Sequence, residues 1–301
     1  MKRILVIGCG NIARRAMPWL TKRFRVFALV RDSREMDTVR ALGAIPLCGD
    51  LDDRRSLARL SGIADAVLHF APPSRMGGNA SLHHQHENDK DIRTRHFLAA
   101  LGSRGSLPQR LVYISTTGVY GDCAGALIDE TRPCKPETAR ARRRIDAERK
   151  LRAFGRRHRV TVAVLRAPGI YAADRLPLER LARGDPVPMD DVYTNHIHAD
   201  DLAGLAVAAL FRARTGRIYN VVDDSRMSVA DFFDLVADTH GLPRPPRLPW
   251  AELTSSLSPS ALSFMRESRR ITNARLNREL GYRLRYPTVA HGLAALRKVM
   301  P

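Results

Sequence analysis

The chain has 301 residues, of which 44% are hydrophobic and 27% charged, so it is long enough to bury a core and ordinary in composition for a globular protein. This balance excludes disordered, collagen-like and coiled-coil classes, and no apolar run approaches the ~20 residues that a membrane helix needs. The four cysteines show no paired short spacing, which predicts neither a disulfide framework nor a zinc site. We therefore expect a protein of the reducing cytoplasm with no membrane partner.

The net charge of +19 is strongly positive and can indicate a nucleic-acid partner. However, only six of the 50 basic residues are lysine, and such a skew can reflect the coding composition of a genome. Residues 131–160 hold twelve basic and three acidic residues, nearly half of the excess. No nucleic-acid-binding motif accompanies them, so nucleic acid is the weaker interpretation.

Apolar runs alternate with helical patterns through the first half of the chain. Strands are predicted at residues 4–7, 26–30, 44–48, 66–70, 111–115 and 160–165. Helices are predicted at residues 11–22, 34–42, 53–60, 89–101 and 138–157. Nearly continuous apolar strands separated by helices predict an α/β fold with a doubly wound parallel sheet.

The regularity fades after residue 166, where Gly and Pro punctuate residues 168–188. A helix at 199–213 and a strand at 217–222 return, a Pro-rich stretch follows at 243–249, and a last helix is predicted at 290–299. We therefore predict a first domain of residues 1–166, to which residues 196–224 return. A smaller C-terminal substrate lobe would comprise residues 167–195 and 225–301.

A glycine motif follows the first strand directly and opens the first helix. Gly8, Gly10 and Ala13 form a G-x-G-x-x-A fingerprint that also contains Asn11 and Ile12. The glycines permit a tight turn and a close approach of the backbone to a pyrophosphate, and the helix N-terminus offers free N–H groups. This placement predicts a dinucleotide-binding loop.

The residue after the second strand bears on the choice of cofactor. Enzymes that use NAD usually place an acid there for the ribose hydroxyls, whereas this chain has Arg31 followed by Asp32. A guanidinium can bind a 2′-phosphate with two hydrogen bonds. We therefore expect NADP, with NAD as the alternative; a solvated surface arginine is the other interpretation.

Seven segments, in the right order over most of the chain, resemble the short-chain dehydrogenase/reductase superfamily. The resemblance is strongest to its extended and atypical branch, which includes NAD-dependent epimerases and dehydratases. The segments are residues 49–51 (GDL), 71–73 (APP), 115–121 (STTGVYG), 165–171 (LRAPGIY), 196–203 (HIHADDLA), 219–223 (YNVVD) and 280–282 (LGY).

The resemblance implies a Rossmann dinucleotide-binding domain and assigns functions to individual residues. It implies that Thr116 hydrogen-bonds the reacting oxygen of the substrate, although such a threonine can also simply satisfy a strand end. It places Asp50 and Leu51 beside the adenine. Ala71 and Pro72 lie where the protein backbone of the family passes the cofactor, and Pro168 and Ile170 border the nicotinamide.

The chain departs from the superfamily at its acid/base pair, a Tyr four residues before a Lys. Matching residues 147–148 to the family helix puts Arg140 at the Tyr position and Arg144 at the Lys position. Arginine keeps its proton at ordinary pH, so Arg140 cannot replace the phenol in proton transfer, whereas Arg144 can still bind ribose or phosphate.

Three outcomes then remain open. Another group could carry the proton, with Tyr120, Tyr171 and His196 as candidates. The chain could instead bind the dinucleotide without turnover, or hydride transfer could take its proton from solvent. We take Thr116 and Tyr120 as the catalytic candidates.

These observations favour an NAD(P)-dependent oxidoreductase or an epimerase/dehydratase-like protein. Its substrate would be a small carbonyl compound or a nucleotide sugar, and it could be anionic. The alternative is a non-catalytic NADP(H) sensor that reports to a partner protein. Assembly into an oligomer remains open.

Two further features carry less weight. The basic helix at 138–159 could bind an anionic substrate or partner, but a solvated arginine-rich face is the favoured interpretation. His83, His84 and His86 could hold a metal ion; because no fourth ligand is evident, a metal-free loop is favoured.

Overall fold

The computed structural model of the protein describes residues 2–74, 89–258, 261–262 and 265–297. Its centre is a seven-stranded sheet in the order β12-β7-β5-β4-β1-β2-β3, and every neighbouring pair is parallel. The strands are β1 (Arg3–Ile7), β2 (Arg25–Val30), β3 (Ile45–Cys48), β4 (Ala66–His69), β5 (Arg110–Thr116), β7 (Thr161–Ala167) and β12 (Ile218–Asn220). This architecture confirms the predicted doubly wound parallel sheet.

Helices cover both faces of the sheet and build the C-terminal lobe. The helices in the described residues are α1 (Asn11–Thr21), α2 (Met36–Ala41), α3 (Ile92–Leu101), α4 (Ala139–His158), α5 (Leu178–Ala182), α6 (Ala199–Arg212), α7 (Val229–His240), α8 (Trp250–Ser256), α9 (Ala274–Leu280) and α10 (Val289–Arg297). None of them is long and apolar enough to cross a membrane.

Two apolar layers explain why the sheet is buried on both sides. One joins β-strand side chains such as Val6 to α1 and α6, and the other joins side chains such as Leu5 to α3 and α4. Successive strand residues point to opposite faces, so both Leu5 and Val6 are fully buried. The continuous apolar runs of the sequence follow from this double burial.

The remaining short strands, of which all but Leu127–Ile128 lie in the C-terminal half of the chain, form two-stranded pairs beside the main sheet. The pairs are β6 (Leu127–Ile128) with β15 (Arg270–Ile271), β8 (Gly169–Tyr171) with β11 (His196–His198), β9 (Val187–Pro188) with β14 (Arg247–Leu248), and β10 (Tyr193–Thr194) with β13 (Met227–Ser228). A separate apolar cluster includes Phe232 and Phe233 of α7 and Leu293 of α10. It gives this lobe its own core.

The strand order reverses between β1 and β4. In a doubly wound sheet the connections leave in opposite directions at such a point and open a crevice at the carboxyl ends of the strands. The glycine loop after β1 and residues 70–72 after β4 both lie there.

Local structure differs from the sequence prediction at two segments. Residues 53–60 were predicted as a helix, but Arg54–Leu60 is a 3-10 segment that begins at Asp53, whose side chain accepts from the Arg55 N–H. The helix predicted at 34–42 is divided into a 3-10 turn, Ser33–Glu35, and α2. Both segments are short, and short connections often adopt the tighter 3-10 form. The cluster His83, His84 and His86 lies outside the described residues.

Candidate functional site

The glycine loop has the geometry that a pyrophosphate site needs. Gly8 has a φ of +84°, and a Cβ there would lie 2.9 Å from backbone atoms of Ala71. Gly10 has open space around its Cβ position, and it precedes α1 with no side chain capping the helix and no acid in the first turn. The N–H groups and the positive end of the α1 dipole are thus left for an anion from outside. The loop therefore fits a dinucleotide.

A first cavity, the Arg31 cavity, extends from this loop toward the end of β2 and has a volume of about 400 Å³. Arg31 is exposed at its rim, while neighbouring Asp32 accepts hydrogen bonds from Arg34 that lower the pKa of its carboxyl to about 2. The sequence-predicted residues that line it are Gly8, Gly10, Arg31, Asp50, Leu51, Ala71 and Pro72.

A second cavity, the Arg144 cavity, lies on the other side of the loop and has a volume of about 320 Å³. Arg144 donates hydrogen bonds of 2.8 Å to the Tyr113 hydroxyl and to the Ile114 carbonyl, which hold its guanidinium at the end of β5. The sequence-predicted residues that line it are Gly8, Gly10, Asn11, Ile12, Ala71, Pro72, Thr116, Arg144, Pro168 and Ile170.

A third cavity, the Arg180 cavity, lies between the sheet and the C-terminal lobe and has a volume of about 230 Å³. Thr116 and Pro168 line both this cavity and the Arg144 cavity, so the two adjoin. Gly8 and Gly10 line both the Arg31 cavity and the Arg144 cavity, so these two also adjoin. The three cavities therefore adjoin in a row, which we call the trough, and Thr116 lines its last two parts.

Thr116 is the last residue of β5, and its side chain caps the following 3-10 turn. Its Oγ1 accepts a hydrogen bond of 3.2 Å from the Gly118 N–H. Among the described residues the Thr116 hydroxyl has no hydrogen-bond acceptor, so it can donate to a ligand oxygen. Thr116 can therefore fill both roles considered from the sequence: its side chain satisfies the end of a strand, and its hydroxyl can still hydrogen-bond a substrate oxygen.

The structure does not bring Tyr120 to the trough. Tyr120 lies in the buried 3-10 turn after β5, and its hydroxyl donates to Oδ1 of Asn220 at 2.8 Å. The Arg166 guanidinium lies 4.8 Å from the centre of its ring, and burial raises the pKa of the phenol to about 12. This turn directs the side chain into the core, and the motif S-T-T-G-V-Y-G by itself could not show that.

The two other proton-carrier candidates differ in position. Tyr171 is buried and donates to the Thr288 carbonyl oxygen at 3.2 Å. His196 lines the Arg180 cavity and stacks on Phe232 at 4.2 Å between ring centres. Burial lowers the pKa of His196 to about 3, so its imidazole is neutral at pH 7.

Arg140 and Arg144 lie on either side of Thr116. Both project from the first turns of α4, Arg140 toward the Arg180 cavity and Arg144 toward the cavity named after it. The helix starts at the Thr138 cap, whose Oγ1 accepts from the Ala141 N–H. The spacing of four residues places the two guanidinium groups one helical turn apart on the same face.

Several residues of the trough were not predicted from the sequence. Arg175 lines the Arg144 cavity, Arg93 lines the Arg31 cavity, and Arg180, Arg269 and Glu267 line the Arg180 cavity. Four of these five are arginines among 44, and none stands in a recognisable motif. Their position in the tertiary structure is the feature that distinguishes them.

Comparison with known proteins agrees with this geometry. The model of the NAD dependent epimerase/dehydratase family matches residues 4–222. A curated relative, 4-hydroxy-2-methyl-3-oxo-4-farnesyl-3,4-dihydroquinoline-1-oxide ketoreductase of Stigmatella aurantiaca, is 27% identical over 255 residues, which cover 80% of this chain and 74% of the relative.

Solved structures share the fold over almost the whole chain. A conserved protein of unknown function from Silicibacter pomeroyi has a TM-score of 0.77 and 29% identity, covering 99% of both chains. The dTDP-glucose 4,6-dehydratase DesIV from Streptomyces venezuelae, solved with NAD bound, has a TM-score of 0.75 and 20% identity, covering 98% of this chain and 97% of its own. The family match spans the sheet, the glycine loop and Thr116, and the chain therefore belongs to the NAD-dependent epimerase/dehydratase family, whose members bind NAD(H).

Proposed function

We propose that the protein is an NADP(H)-preferring oxidoreductase that reduces a small carbonyl compound in the Arg180 cavity. The observation that carries this proposal is the row of adjoining cavities, with the glycine loop at its centre, Arg31 at one end, and Thr116 lining the last two cavities. The ketoreductase activity named for the Stigmatella aurantiaca relative supports carbonyl reduction as the reaction class.

The residues fit a dinucleotide along the first two cavities. Gly8 and Gly10 would hold the pyrophosphate at the start of α1, and Asp50 and Leu51 would lie beside the adenine. Arg31 would bind a 2′-phosphate, which favours NADP over NAD. Ala71, Pro72, Pro168 and Ile170 would border the remaining length toward the nicotinamide. When bound, the reduced nicotinamide supplies a hydride.

Thr116 would orient the substrate carbonyl and donate a hydrogen bond to its oxygen. As negative charge develops on this oxygen, the fixed guanidinium groups of Arg140 and Arg144 would stabilise it electrostatically. Donors that are already held in place cost little reorganisation, and Arg144 is held by two hydrogen bonds to β5.

The proton would come from water. Both arginines at the Tyr and Lys positions keep their protons, Tyr120 lies outside the trough, and His196 is neutral. Carbonyl reduction tolerates this arrangement better than epimerisation or dehydration, because a stabilised alkoxide can take up its proton from solvent. We therefore favour simple reduction over the chemistry of the epimerases and dehydratases.

The test is oxidation of NADPH and NADH by the purified full-length chain with a panel of aldehydes, ketones, oxo acids and nucleotide sugars. We expect turnover of small carbonyl compounds and a preference for NADPH. The matched variant is Gly10→Val: the space around Gly10 is open, so the chain should fold, but the side chain would occupy the pyrophosphate position. Tight NADPH binding without turnover of any carbonyl compound would overturn the reductase and favour the sensor. No binding would remove both.

A further inference from the structure

The Arg180 cavity carries an excess of positive charge. Among its described lining residues, Arg140, Arg180 and Arg269 contribute guanidinium groups, whereas Glu267 contributes the carboxylate. Glu267 accepts a hydrogen bond of 2.6 Å from Nη1 of Arg269, so its negative charge already balances the charge of Arg269.

Two of these arginines have buried donors that no group among the described residues satisfies. Nη2 of Arg180 and Nε of Arg269 are both buried, and neither has a hydrogen-bond partner within residues 2–74, 89–258, 261–262 and 265–297. Burial lowers the pKa of Arg180, and the hydrogen bond from its Nε to Asp185 is long at 3.4 Å. Buried polar groups are normally paired, and both arginines keep unused hydrogen-bonding capacity beside the cavity that they line.

The walls of the cavity restrict the size and shape of this ligand. The Arg180 guanidinium lies 4.8 Å from the centre of the Phe233 ring, and the Phe232 ring stacks on His196. At about 230 Å³, the cavity is below the roughly 300–1,000 Å³ typical of sites for drug-sized ligands. A small compound with an apolar part and an anionic group matches both the aromatic walls and the arginines.

Thr116 lines the same cavity as these arginines, so the anionic group and the reacting carbonyl would be close together in one small molecule. Both Thr116 Oγ1 and Glu267 Oε2 lie within 3.8 Å of the position that a Cβ on Gly118 would take. Arg269, the partner of Glu267, is thus near the reaction centre. A long nucleotide substrate carries its charge far from the reacting carbon, so it would not require arginines beside Thr116.

We propose that the substrate is a small carbonyl compound with its own anionic oxygen group, a carboxylate or a phosphate, which Arg180 and Arg269 bind. This proposal rests on the proposed function for the identity of the reaction. Arg180 acts in it as a specificity-determining residue, since a planar guanidinium matches the two oxygens of such a group.

The first experiment compares matched pairs of substrates with NADPH: 2-oxo acids against their methyl esters, and glyceraldehyde 3-phosphate against glyceraldehyde. We expect the anionic member of at least one pair to have a kcat/KM at least about tenfold higher. The pair that shows this preference identifies the carboxylate or the phosphate. Equal rates within both pairs, or turnover restricted to nucleotide sugars, would overturn the proposal.

The second experiment uses Arg180→Met and Arg180→Lys, with Arg183→Met as the matched control. Arg183 also pairs with Asp185, at 2.8 Å, but it is exposed and does not line the cavity. We expect Arg180→Met to raise KM for the anionic substrate about 30-fold, with little change for its neutral partner, and Arg180→Lys to restore part of the loss. Equal losses for both partners would overturn the specificity role; melting temperatures identify a folding defect.

A binding measurement separates failure of this inference from failure of the proposed function. Calorimetry with oxamate and with neutral oxamide needs neither turnover nor cofactor. Oxamate binding that Arg180→Met abolishes supports the anion site even if no dinucleotide binds and the reductase proposal fails. Conversely, carbonyl turnover with no preference within either substrate pair, together with equal binding of oxamate and oxamide, leaves the reductase and overturns the anion site.

Discussion

Glu148 on α4 and Arg166 on β7 form a two-point ion pair inside the protein. Nε and Nη2 of Arg166 donate to the two carboxylate oxygens at 3.1 and 2.7 Å, and each side chain is 4% exposed. The Ser115 hydroxyl donates to the same carboxylate at 2.5 Å. The pair therefore joins the arginine-rich helix to the ends of the two strands that lead to Thr116 and Pro168.

Replacing Glu148 by Gln should destabilise the fold. The variant leaves the buried Arg166 cation without its counter-charge, and the loss of one partner of a buried pair costs about 3–5 kcal/mol. Urea unfolding measures this loss. Glu179→Gln, at an exposed position on α5, is the control and should change stability by less than about 0.5 kcal/mol. If the two variants were equally stable, the buried pair would not support the fold.

Arg31→Glu should change the cofactor preference. Losing charge-assisted hydrogen bonds to a 2′-phosphate and adding a repulsive carboxylate should raise the Kd for NADP⁺ by about 10²-fold, and the Kd for NAD⁺ by less than about threefold. Titration of both cofactors measures the two constants. Arg59→Glu makes the same charge change at an exposed residue outside the described cavities and should affect neither. Equal losses for both cofactors with Arg31→Glu would contradict this assignment.

Thr116→Val removes a hydroxyl while keeping the shape of the side chain. If Thr116 donates to the reacting oxygen, kcat should fall about 10²–10³-fold, as when one donor to a developing oxyanion is removed. Loss of the cap on Gly118 should cost about 1 kcal/mol of stability.

Thr116→Ser is the control, because it keeps the hydroxyl and therefore both functions. Single-turnover kinetics and urea unfolding distinguish the two losses. A Val variant that lost stability but kept its kcat would leave Thr116 with the capping role alone.

Asp223 should make the stability of the protein depend on pH. Burial raises the pKa of its carboxyl from 3.8 to about 7, and Oδ2 has no hydrogen-bond partner among the described residues. Between these two values the folded chain keeps a proton that the unfolded chain has lost. The contribution of Asp223 to the free energy of unfolding therefore falls as pH rises from about 4 to about 7 and is constant above that.

Asp223→Asn removes this penalty and keeps an oxygen to accept from the Ser225 N–H. We expect the variant to match the wild type near pH 4 and to be more stable by about 2–4 kcal/mol near pH 8. Thermal unfolding over this pH range measures the difference. Asp224→Asn, at the exposed neighbouring residue, should keep most of the wild-type slope, because the Asp224 charge raises the Asp223 pKa less than burial does. An Asp223→Asn variant with that same slope would show that the carboxyl is ionised in the folded protein.

The local pattern of the chain determined the sheet and the glycine loop. Continuous apolar strands are needed wherever both faces of a sheet are covered, and Gly8 and Gly10 are needed where backbone must pass closely, so these features can be read from neighbouring residues. Only the tertiary structure decided where individual polar side chains lie and which groups they contact. Tyr120 donates to Asn220, 100 residues away in sequence, and Arg180 reaches the same cavity as Thr116 from another lobe. Such contacts depend on how distant segments pack, which no local spacing records.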